Sequence, residues 1–533
     1  MNAVDLKAES APSTPTGIDT TIGSDGASRR VVIGSLMVAL LLSALDNTIV
    51  GTAMPTIAGQ FNAFGLYAWV STSYAVTSTI ATLLLGKLSD LFGRRRLLLF
   101  TIGLFVFASL LCGAAQSMPQ LIAARALQGV GGGGIWGLTF ATVGDIVPPR
   151  ERGKYFGMFS SIWGIAAVLG PLVGGVIVDN ANWRWIFLVN LPLGIVAFVL
   201  LAKVLRVPPP SRRPQVDVKG AALLTVCVAA FMLALEQGQE RGWTSVPIVG
   251  GYFLAALSFT LFLRQERRAP EPILPLRLFR NPHLRTSYLL GFLIGPSMYA
   301  TGLFFGLFFQ SVRFMSPTVA GLAGVPIMMG LVSGATLSGR IISKLGRYRM
   351  LPRVGFAMCG LGGLSAVFLT STTSYALIAP MLLLTGLGTG IAAPMMSIVA
   401  QNSADPKDLG ISSAVQNFMR SAGAAIAIAC LSVYFNHQVK SELDRKAEGG
   451  RSLFRLIRKP SEIERLPGDT RNAITHAIAS ASGRVVMISA LLVLVGWVLT
   501  FRVEDQPLRT TSGLEARAAE SPDSAVSTMQ PRQ

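Results

Sequence analysis

Long apolar runs alternate with short polar segments along most of the chain. A helix that crosses the hydrocarbon core of a bilayer needs about 20 mostly apolar residues. Fourteen runs reach this length, and each predicts one membrane-spanning helix. The predicted helices lie at about residues 32–54, 66–86, 97–115, 121–143, 155–178, 186–206, 219–236, 246–263, 286–309, 317–339, 352–371, 375–399, 411–435 and 485–502.

The composition agrees with this pattern. Apolar residues make up 51% of the 533 positions and charged residues only 14%, which excludes an ordinary soluble globular protein. The four cysteines lie in separate apolar runs, without the paired spacing of a metal site or a disulfide framework. They are Cys112, Cys227, Cys359 and Cys430. We interpret them as packing residues of an all-α integral membrane protein.

Basic residues concentrate in alternate loops. An even number of helices places both termini on one side, and cytoplasmic loops carry an excess of Lys and Arg. The loops on the side of the termini hold Lys87, Arg94 to Arg96, Arg150, Arg152, Lys154, Arg212, Arg213, Lys219, Arg264, Arg267, Arg268, Arg277, Arg280, Arg285, Arg340, Lys344, Arg347 and Arg349. The opposite short loops hold only Arg184, Arg241 and Arg313. We therefore expect cytoplasmic termini and a location in the cell membrane.

The net charge of +19 follows from this topology. In a soluble protein it would suggest a nucleic-acid partner, but here the charge faces anionic lipid, so we expect membrane lipids and no nucleic acid. The exception is a long basic segment on the outer side, residues 436–484. Loops of this length escape the charge rule. A solvated loop is the favoured interpretation, and a soluble or interfacial cap is the alternative.

An internal repeat divides the chain. GKLSDLFGRRR at 86–96 aligns with GRIISKLGRYR at 339–349, and each follows the second helix of a six-helix unit. Parallel halves around a central site are common in secondary transporters. We expect a disordered cytoplasmic tail at 1–31, a first half at 32–206, two inserted helices at 207–285, a second half at 286–502 and a disordered cytoplasmic tail at 503–533.

Asp46 and Arg125 are charged residues inside the first and fourth predicted spans. Asp46 interrupts the first span in LDNTIVGTAMP, where an acid costs on the order of 2.5 kcal/mol or more and marks a functional site by default. In the fourth span Arg125, Gln128 and Gly129 share one helix face at i, i+3 and i+4. Arg125 and Asp46 have similar predicted depth. For Arg125 the alternative is snorkelling to the outer headgroups, and the sequence leaves open whether the pair meets.

Five stretches together resemble the major facilitator superfamily. They are GKLSDLFGRRR, LDNTIVGTAMP, RALQGVGGGG from Arg125, GIAAVLGPLVGG from Gly164 to Gly175, and WRWIFLVNLPLG from Trp183 to Gly194. With fourteen spans the chain is similar to the drug:proton antiporter branch. The resemblance implies two six-helix halves plus two inserted helices, and it raises the expectation of export.

The loop after the second helix is a candidate latch between the halves. Gly86 and Gly93 allow a close approach and a tight turn, and Asp90 can cap a helix or pair with basic groups. Arg94 is the fourth candidate residue of this latch. The alternative, that the arginines only set topology, does not explain Asp90 or the glycines. The second copy has Ser343 at the position of Asp90, so we expect an asymmetric latch.

The fifth helix carries a surface of small residues, with a proline that can bend the helix. These residues are Gly164, Gly170, Pro171, Gly174 and Gly175. Such packing suits helices that rock between the halves, and static packing explains it equally well. The run Gly131 to Gly134 similarly leaves the fourth helix open to close approach.

A substrate cavity is predicted less directly. Its candidate lining residues are Gln128, Met298, Phe304, Phe305, Met328, Met329 and Arg420. Flexible apolar side chains suit an adaptable cavity, although lipid contact or packing explains each apolar one as well. For Arg420, in QNFMRSAG, a structural contact with a carbonyl group is an equal alternative. Glu236 is interpreted as an interfacial charge.

The sequence thus predicts a proton-driven exporter of hydrophobic, drug-like compounds, with lipophilic cations among the candidate substrates. Asp46 would carry the proton and Arg125 would modulate it, because desolvation favours the neutral carboxyl group and a nearby arginine the ionised one. Export of an endogenous lipid, siderophore or amino acid is the alternative, and a non-transporting receptor or scaffold a more distant one.

We expect no cofactor, no bound metal and no catalytic residues, since no nucleotide-binding loop, metal-ligand cluster or nucleophile triad is recognisable. The sequence does not indicate the oligomeric state, and we expect a monomer.

Overall fold

The computed structural model describes residues 26–63, 66–205, 215–446, 460–504 and 507–508. Fourteen long helices account for most of these ranges. They are α1 (Gly26–Gln60), α2 (Tyr67–Phe92), α3 (Arg94–Ala114), α4 (Met118–Ile146), α5 (Pro149–Asn180), α6 (Asn190–Val204), α7 (Val218–Arg241), α8 (Val246–Glu266), α9 (Pro282–Ser311), α10 (Val325–Leu345), α11 (Met350–Leu364), α12 (Tyr375–Ser403), α13 (Leu409–Lys446) and α14 (Gly468–Thr500). Short helical segments at Trp185–Leu188, Leu276–Arg280, Pro317–Ala323, Ser365–Phe368, Pro406–Asp408 and Pro460–Glu464 lie between them.

The number of long helices agrees with the fourteen predicted spans. Thirteen of them are long and apolar enough to cross a membrane. The other, α4, is 29 residues long and mostly buried, and it packs against α2 and α3. Residues 26–31, predicted as part of a tail, belong to α1 instead. Most of both predicted tails, residues 1–25 and 509–533, lies outside the described residues.

The helix contacts repeat between the two halves. In the first half α1 packs against α5 and α6, α2 against α4, and α3 against α4 and α6. The second half repeats these contacts as α9 with α13 and α14, α10 with α12, and α11 with α12 and α14. The halves meet where α2 packs against α13 and α5 against α10. The predicted architecture of two six-helix halves with an insertion is therefore confirmed.

The inserted helices form a hairpin beside one of these seams. Helix α7 packs along α8 and also contacts α2 and α13. Two ion pairs tie the segment that follows the hairpin to both halves, Lys87 with Glu271 at 3.3 Å and Arg277 with Asp408 at 2.9 Å. Burial raises the pKa of the Asp408 carboxyl group, and the neighbouring Arg277 opposes this shift.

The segment 436–484 differs from the favoured expectation of a solvated loop. Its described parts are largely helical, because α13 continues to Lys446 and α14 begins at Gly468. The extensions share a buried core that includes Val439, Leu443, Ile474 and Ile478. In each extension two of these side chains are four residues apart, which places them on one helix face. Lys440 and Glu442 in one extension, and Thr475 and His476 in the other, obscured this spacing in the sequence. Residues 447–459 lie outside the described part.

The seam between the halves is closed at one end. We call this end, where α1 begins and α14 ends, the terminal side. A Cβ atom on Gly86 would lie 2.5 Å from the Cβ of Ala414, and a Cβ on Gly339 would lie 2.2 Å from the carbonyl oxygen of Gly153. These glycines therefore let the helices of opposite halves touch. On α13, residues 411–416 are buried, whereas residues 417–422 are half-buried, so the seam loosens away from the terminal side.

Candidate functional site

The structure brings Asp46 and Arg125 into direct contact. The Nη1 atom of Arg125 lies 2.6 Å from Oδ2 of Asp46, and the two side chains are 2% and 0% exposed. This geometry excludes the alternative that Arg125 snorkels to the outer headgroups. The pair joins α1 to α4 within the first half, and both charges are withdrawn from solvent.

Polar side chains from three other positions complete the site. Gln128 donates to Oδ1 of Asp46 at 2.9 Å and accepts from Arg125 at 2.6 Å. Asn190 also donates to Oδ1 of Asp46, at 2.7 Å, and Ser109 accepts from Gln128 at 2.8 Å. Gln128 thus belongs to the hydrogen-bond network of Asp46 and Arg125 rather than to an open substrate cavity.

Asn190 is a site residue that the sequence analysis did not single out. It lies within WRWIFLVNLPLG, as an amide at the start of a long apolar helix, and this was the available signal. Two buried atoms of the site have no hydrogen-bond partner among the described residues, Nε of Arg125 and Oδ1 of Asn190. The network is therefore not fully satisfied in this conformation.

Tyr74 and Asn47 cover the buried pair. The guanidinium carbon of Arg125 lies 4.4 Å from the centre of the Tyr74 ring, a cation–π contact. The Tyr74 hydroxyl accepts a hydrogen bond from Asn47 at 3.2 Å. Tyr74 is buried, whereas Asn47 is exposed in the middle of α1. Asn47 therefore forms the outer layer of the site and Tyr74 the inner layer.

The glycine run of α4 permits this arrangement. A Cβ atom on Gly132 would lie 2.1 Å from the Tyr74 hydroxyl, and one on Gly133 would lie 2.1 Å from the carbonyl oxygen of Ser78. On the other side, a Cβ on Gly131 would lie 2.8 Å from the carbonyl oxygen of Thr101. The predicted close approach to this helix is present, toward α2 and α3 at once.

The candidate latch links the halves at the terminal side. Arg94 forms ion pairs with Asp90 at 2.5 Å and with Asp145 at 2.8 Å. Asp90 also accepts a hydrogen bond from the backbone N–H of Ile411 in the second half, at 3.1 Å. Gly93 has a φ of +93°, which favours glycine at this turn. Asp145, at the end of α4, is a second residue that the sequence analysis missed.

The second copy of the motif makes different contacts. The Ser343 hydroxyl donates to the carbonyl oxygen of Arg150 at 3.1 Å, and Nε of Arg150 donates to the Ser343 carbonyl oxygen at 3.1 Å. Close by, Arg152 donates to Gln401 across the seam at 2.9 Å. The carboxylate of Asp90 bridges the seam between α2 and α13. Hydroxyl, amide and guanidinium groups bridge the seam at α5, so the two sets of contacts are asymmetric.

The small residues of α5 fall into two groups. A Cβ on Gly170 would lie 2.0 Å from Oγ1 of Thr48, and one on Gly174 would lie 2.1 Å from Oγ1 of Thr52. These two glycines pack against α1. Gly164 instead faces Val332 of α10 in the other half, at 3.3 Å from its added Cβ, and Gly175 has nothing within 4 Å. Pro171 is exposed and lies inside α5.

The predicted cavity residues are not gathered into one place. Phe304 and Phe305 are buried in an aromatic cluster, and the Phe304 ring lies 5.3 Å from that of Phe435, so both pack rather than line open space. Met298 and Met328 are half-buried and Met329 is exposed. Arg420 is half-buried and donates to Asn417 at 3.1 Å.

Glu236 accepts a hydrogen bond from Thr72 and is itself exposed. Among the described residues, no group of three or more His, Cys, Asp or Glu side chains is arranged to hold a metal ion.

The sequence and the fold of this chain are similar to those of known proteins. Residues 36–428 match the family model described as Major Facilitator Superfamily. Multidrug resistance protein 3 of Bacillus subtilis is 31% identical over 513 residues, which cover 94% of this chain and 100% of that protein. Multidrug transporter protein MdtP of the same organism is 34% identical over 409 residues, covering 76% and 75% of the two chains. Among solved structures, the proton:xylose symporter XylE superposes with a TM-score of 0.57 at 15% identity, covering 92% of this chain and 99% of the other.

Proposed function

The chain belongs to the major facilitator superfamily, and we propose that it is a proton-coupled exporter of hydrophobic, drug-like compounds in the cell membrane. Membership makes it a multi-pass membrane protein that moves small molecules, and not an enzyme. Relatives that are about 30% identical over most of the chain are named multidrug proteins, which supports drug-like substrates. We propose cytoplasmic termini from the distribution of basic residues.

Proton coupling is proposed from one observation, the buried ion pair between Asp46 and Arg125. An ionised Asp46 balances the charge of Arg125. Protonation of Asp46 removes that balance and leaves a buried guanidinium without a counter-ion, which costs about 3 kcal/mol or more. A rearrangement of the helices that hydrates or re-pairs Arg125 relieves this cost. Proton binding at Asp46 therefore favours a second conformation.

The membrane potential supplies a free energy similar in size to the cost of leaving Arg125 unpaired. One proton that moves inward gains roughly 2.3 kcal/mol per 100 mV of membrane potential, so the gradient can supply the work without a cofactor. In the present conformation the terminal side is closed by Gly86, Gly153 and Gly339. We propose that this is the state that releases substrate outward and takes up a proton. Opening of the terminal side would then return the proton to the cytoplasm and admit the next substrate.

The hydrophobic surface between the halves is proposed as the substrate site, with the side chains around Met298 and Met328 as contacts. Lipophilic cations find no free carboxylate at Asp46 in this conformation, because Arg125, Gln128 and Asn190 occupy its oxygens. They would compete with the proton only in the other state. Small hydrophobic molecules and protons are thus the proposed partners.

The test is transport by the purified protein in liposomes with an imposed pH gradient. Wild type and Asp46→Asn are compared with a panel of fluorescent dyes and lipids. We expect gradient-driven accumulation in the wild type and its loss in Asp46→Asn. Substrate exchange without a gradient should persist in the variant, which shows that it is folded. Unchanged accumulation in Asp46→Asn would contradict the role of this residue, and no transport of any compound would contradict export.

A further inference from the structure

Arg420 is a cation within the membrane-spanning part of α13, and its surroundings differ from those of Arg125. Within the described ranges, its one side-chain hydrogen bond is the 3.1 Å contact with the amide oxygen of Asn417. No acidic side chain forms an ion pair with Arg420 among the residues that the structure describes. An arginine at such a depth ordinarily faces a cavity or a partner. The described part of the chain supplies only this neutral partner.

The depth of Arg420 places it near the middle of the membrane. Helix α13 begins at Leu409 on the terminal side, and Arg420 lies eleven residues further along, which is about 16 Å at 1.5 Å per residue. This is about half of the ~30 Å hydrocarbon core. Lys and Arg side chains near helix ends reach the headgroups by snorkelling, but Arg420 is not near an end.

The direction of Arg420 is set by its helix. Seven residues earlier, Ser413 accepts a hydrogen bond from Gln401 of α12 at 2.8 Å, and Gln401 also donates to the carbonyl oxygen of Phe140 of α4 at 3.2 Å. Two turns of helix bring residue 420 back to nearly the same side as residue 413. Arg420 therefore points toward the centre, where the two halves meet.

The packing of α13 keeps this direction fixed. A Cβ atom on Gly295 of α9 would lie 2.2 Å from the carbonyl oxygen of Arg420, and one on Gly423 would lie 2.0 Å from that of Phe292. Helices α9 and α13 thus touch through their backbones, which leaves little freedom for α13 to rotate. Residues 411–416 are buried and residues 417–422 are half-buried, so Arg420 lies where the seam between the halves opens.

The charge balance of this central region is positive. Asp46, the acid of the first half at membrane depth, is sealed and already balanced by Arg125. Arg420 thus presents an unbalanced guanidinium, whose planar donors match a carboxylate or a phosphate group. We propose that Arg420 binds the anionic group of an amphiphilic substrate, whose apolar body lies between the halves. This inference rests on the proposed export function, and it assigns anionic rather than cationic amphiphiles as the preferred class.

The test uses three probes that share one dansyl-labelled undecyl chain and end in a carboxylate, its methyl ester or a trimethylammonium group. Transport into proteoliposomes is measured for wild type, Arg420→Gln and Arg420→Lys. We expect Arg420→Gln to lose roughly tenfold or more of carboxylate transport, as the loss of a charged hydrogen bond implies, while the ester is transported as in the wild type. Arg420→Lys should retain part of the carboxylate transport. A fluorescent phosphatidylglycerol, beside its phosphatidylcholine analogue, distinguishes a lipid headgroup from a free carboxylate.

The outcomes separate this inference from the proposed function. The control variant is Arg313→Gln, which removes an arginine that contacts the Thr373 carbonyl group on the side opposite the terminal side. It should leave the relative transport rates of the three probes unchanged. An equal loss of all three probes in Arg420→Gln would assign a structural role and overturn the inference. So would a wild type that transports the trimethylammonium probe best, although export itself would stand. Accumulation that survives Asp46→Asn would contradict proton coupling through this residue. In that case, transport of the three probes would still decide whether Arg420 binds an anionic group.

Discussion

The carboxylate of Asp90 accepts the backbone N–H of Ile411 across the seam between the halves, at 3.1 Å. Ile411 lies near the first residue of α13, where free N–H groups make a helix end attractive to a negative charge. Arg94 holds the same carboxylate at 2.5 Å, and its own charge is shared with Asp145. Arg94 of the first half thus fixes Asp90 in a position where its carboxylate meets the start of α13 in the second half.

Loss of this contact should open the terminal side. In Asp90→Ala we expect the closed state to lose about 1.5 kcal/mol, the lower range for a charged hydrogen bond, and so roughly a tenfold shift in the conformational equilibrium. The measurement is the distance distribution between spin labels at the exposed residues Lys203 and Lys344, in a background without Cys227 and Cys430. A longer distance should gain population.

Arg96→Gln provides the control for the latch, because Arg96 is exposed and lies in the same basic run. It should leave the distance distribution as in the wild type. If Asp90→Ala and Arg96→Gln behave alike, the cluster sets topology only, and the latch interpretation is wrong.

Tyr74 is expected to keep the Asp46 site dry. Its ring lies over Arg125 and its hydroxyl is bound by Asn47, so Tyr74→Ala should connect the buried pair to the space between the halves. We expect a proton leak in the absence of substrate, measured with a pH-sensitive dye inside proteoliposomes. The free energy of unfolding should also fall by about 3 kcal/mol, as for other large-to-small changes in a core.

Tyr74→Phe separates the ring from the hydroxyl. Because the ring remains over Arg125, this variant should leak far less than Tyr74→Ala. A proteoliposome that holds its pH gradient equally well with Tyr74→Ala and with the wild type would show that the barrier to protons lies elsewhere.

Two glycines of α5 give a matched pair for packing. An alanine Cβ at position 170 would meet Thr48 at 2.0 Å, whereas one at position 175 would meet nothing within 4 Å. Gly170→Ala should therefore destabilise the protein by about 1–3 kcal/mol. Gly175→Ala should be neutral or stabilise the helix by up to about 1 kcal/mol.

The measurement is the midpoint of thermal unfolding in detergent, for both variants under the same conditions. A lower midpoint for Gly170→Ala alone is expected. Equal midpoints would mean that α1 and α5 separate easily, and that their close contact contributes little to stability.

The sequence predicted the helices well because each span depends on a property of one short segment. About 20 apolar residues cross the hydrocarbon core whatever their neighbours are, and the repeat of GKLSDLFGRRR revealed two halves without any contact being known. It did less well at 436–484, where Lys440 and Glu442 between Val439 and Leu443, and Thr475 and His476 between Ile474 and Ile478, concealed the apolar faces of two long helices. Those faces are recognisable only when the partner helix that covers them is present.

For the candidate site too, some features followed from the sequence and others only from the tertiary structure. Asp46 and Arg125 were identified from the sequence alone, because a charge inside an apolar run is costly and stands out. Their contact, and the contributions of Asn190 and Asp145, depended on the tertiary structure. Asn190 and Asp46 are 144 positions apart in the chain, and an amide or carboxylate near a helix end is ordinary until its neighbour is known. The sequence determined which residues are expensive in a membrane, and the rotation and packing of the helices decided which of them meet.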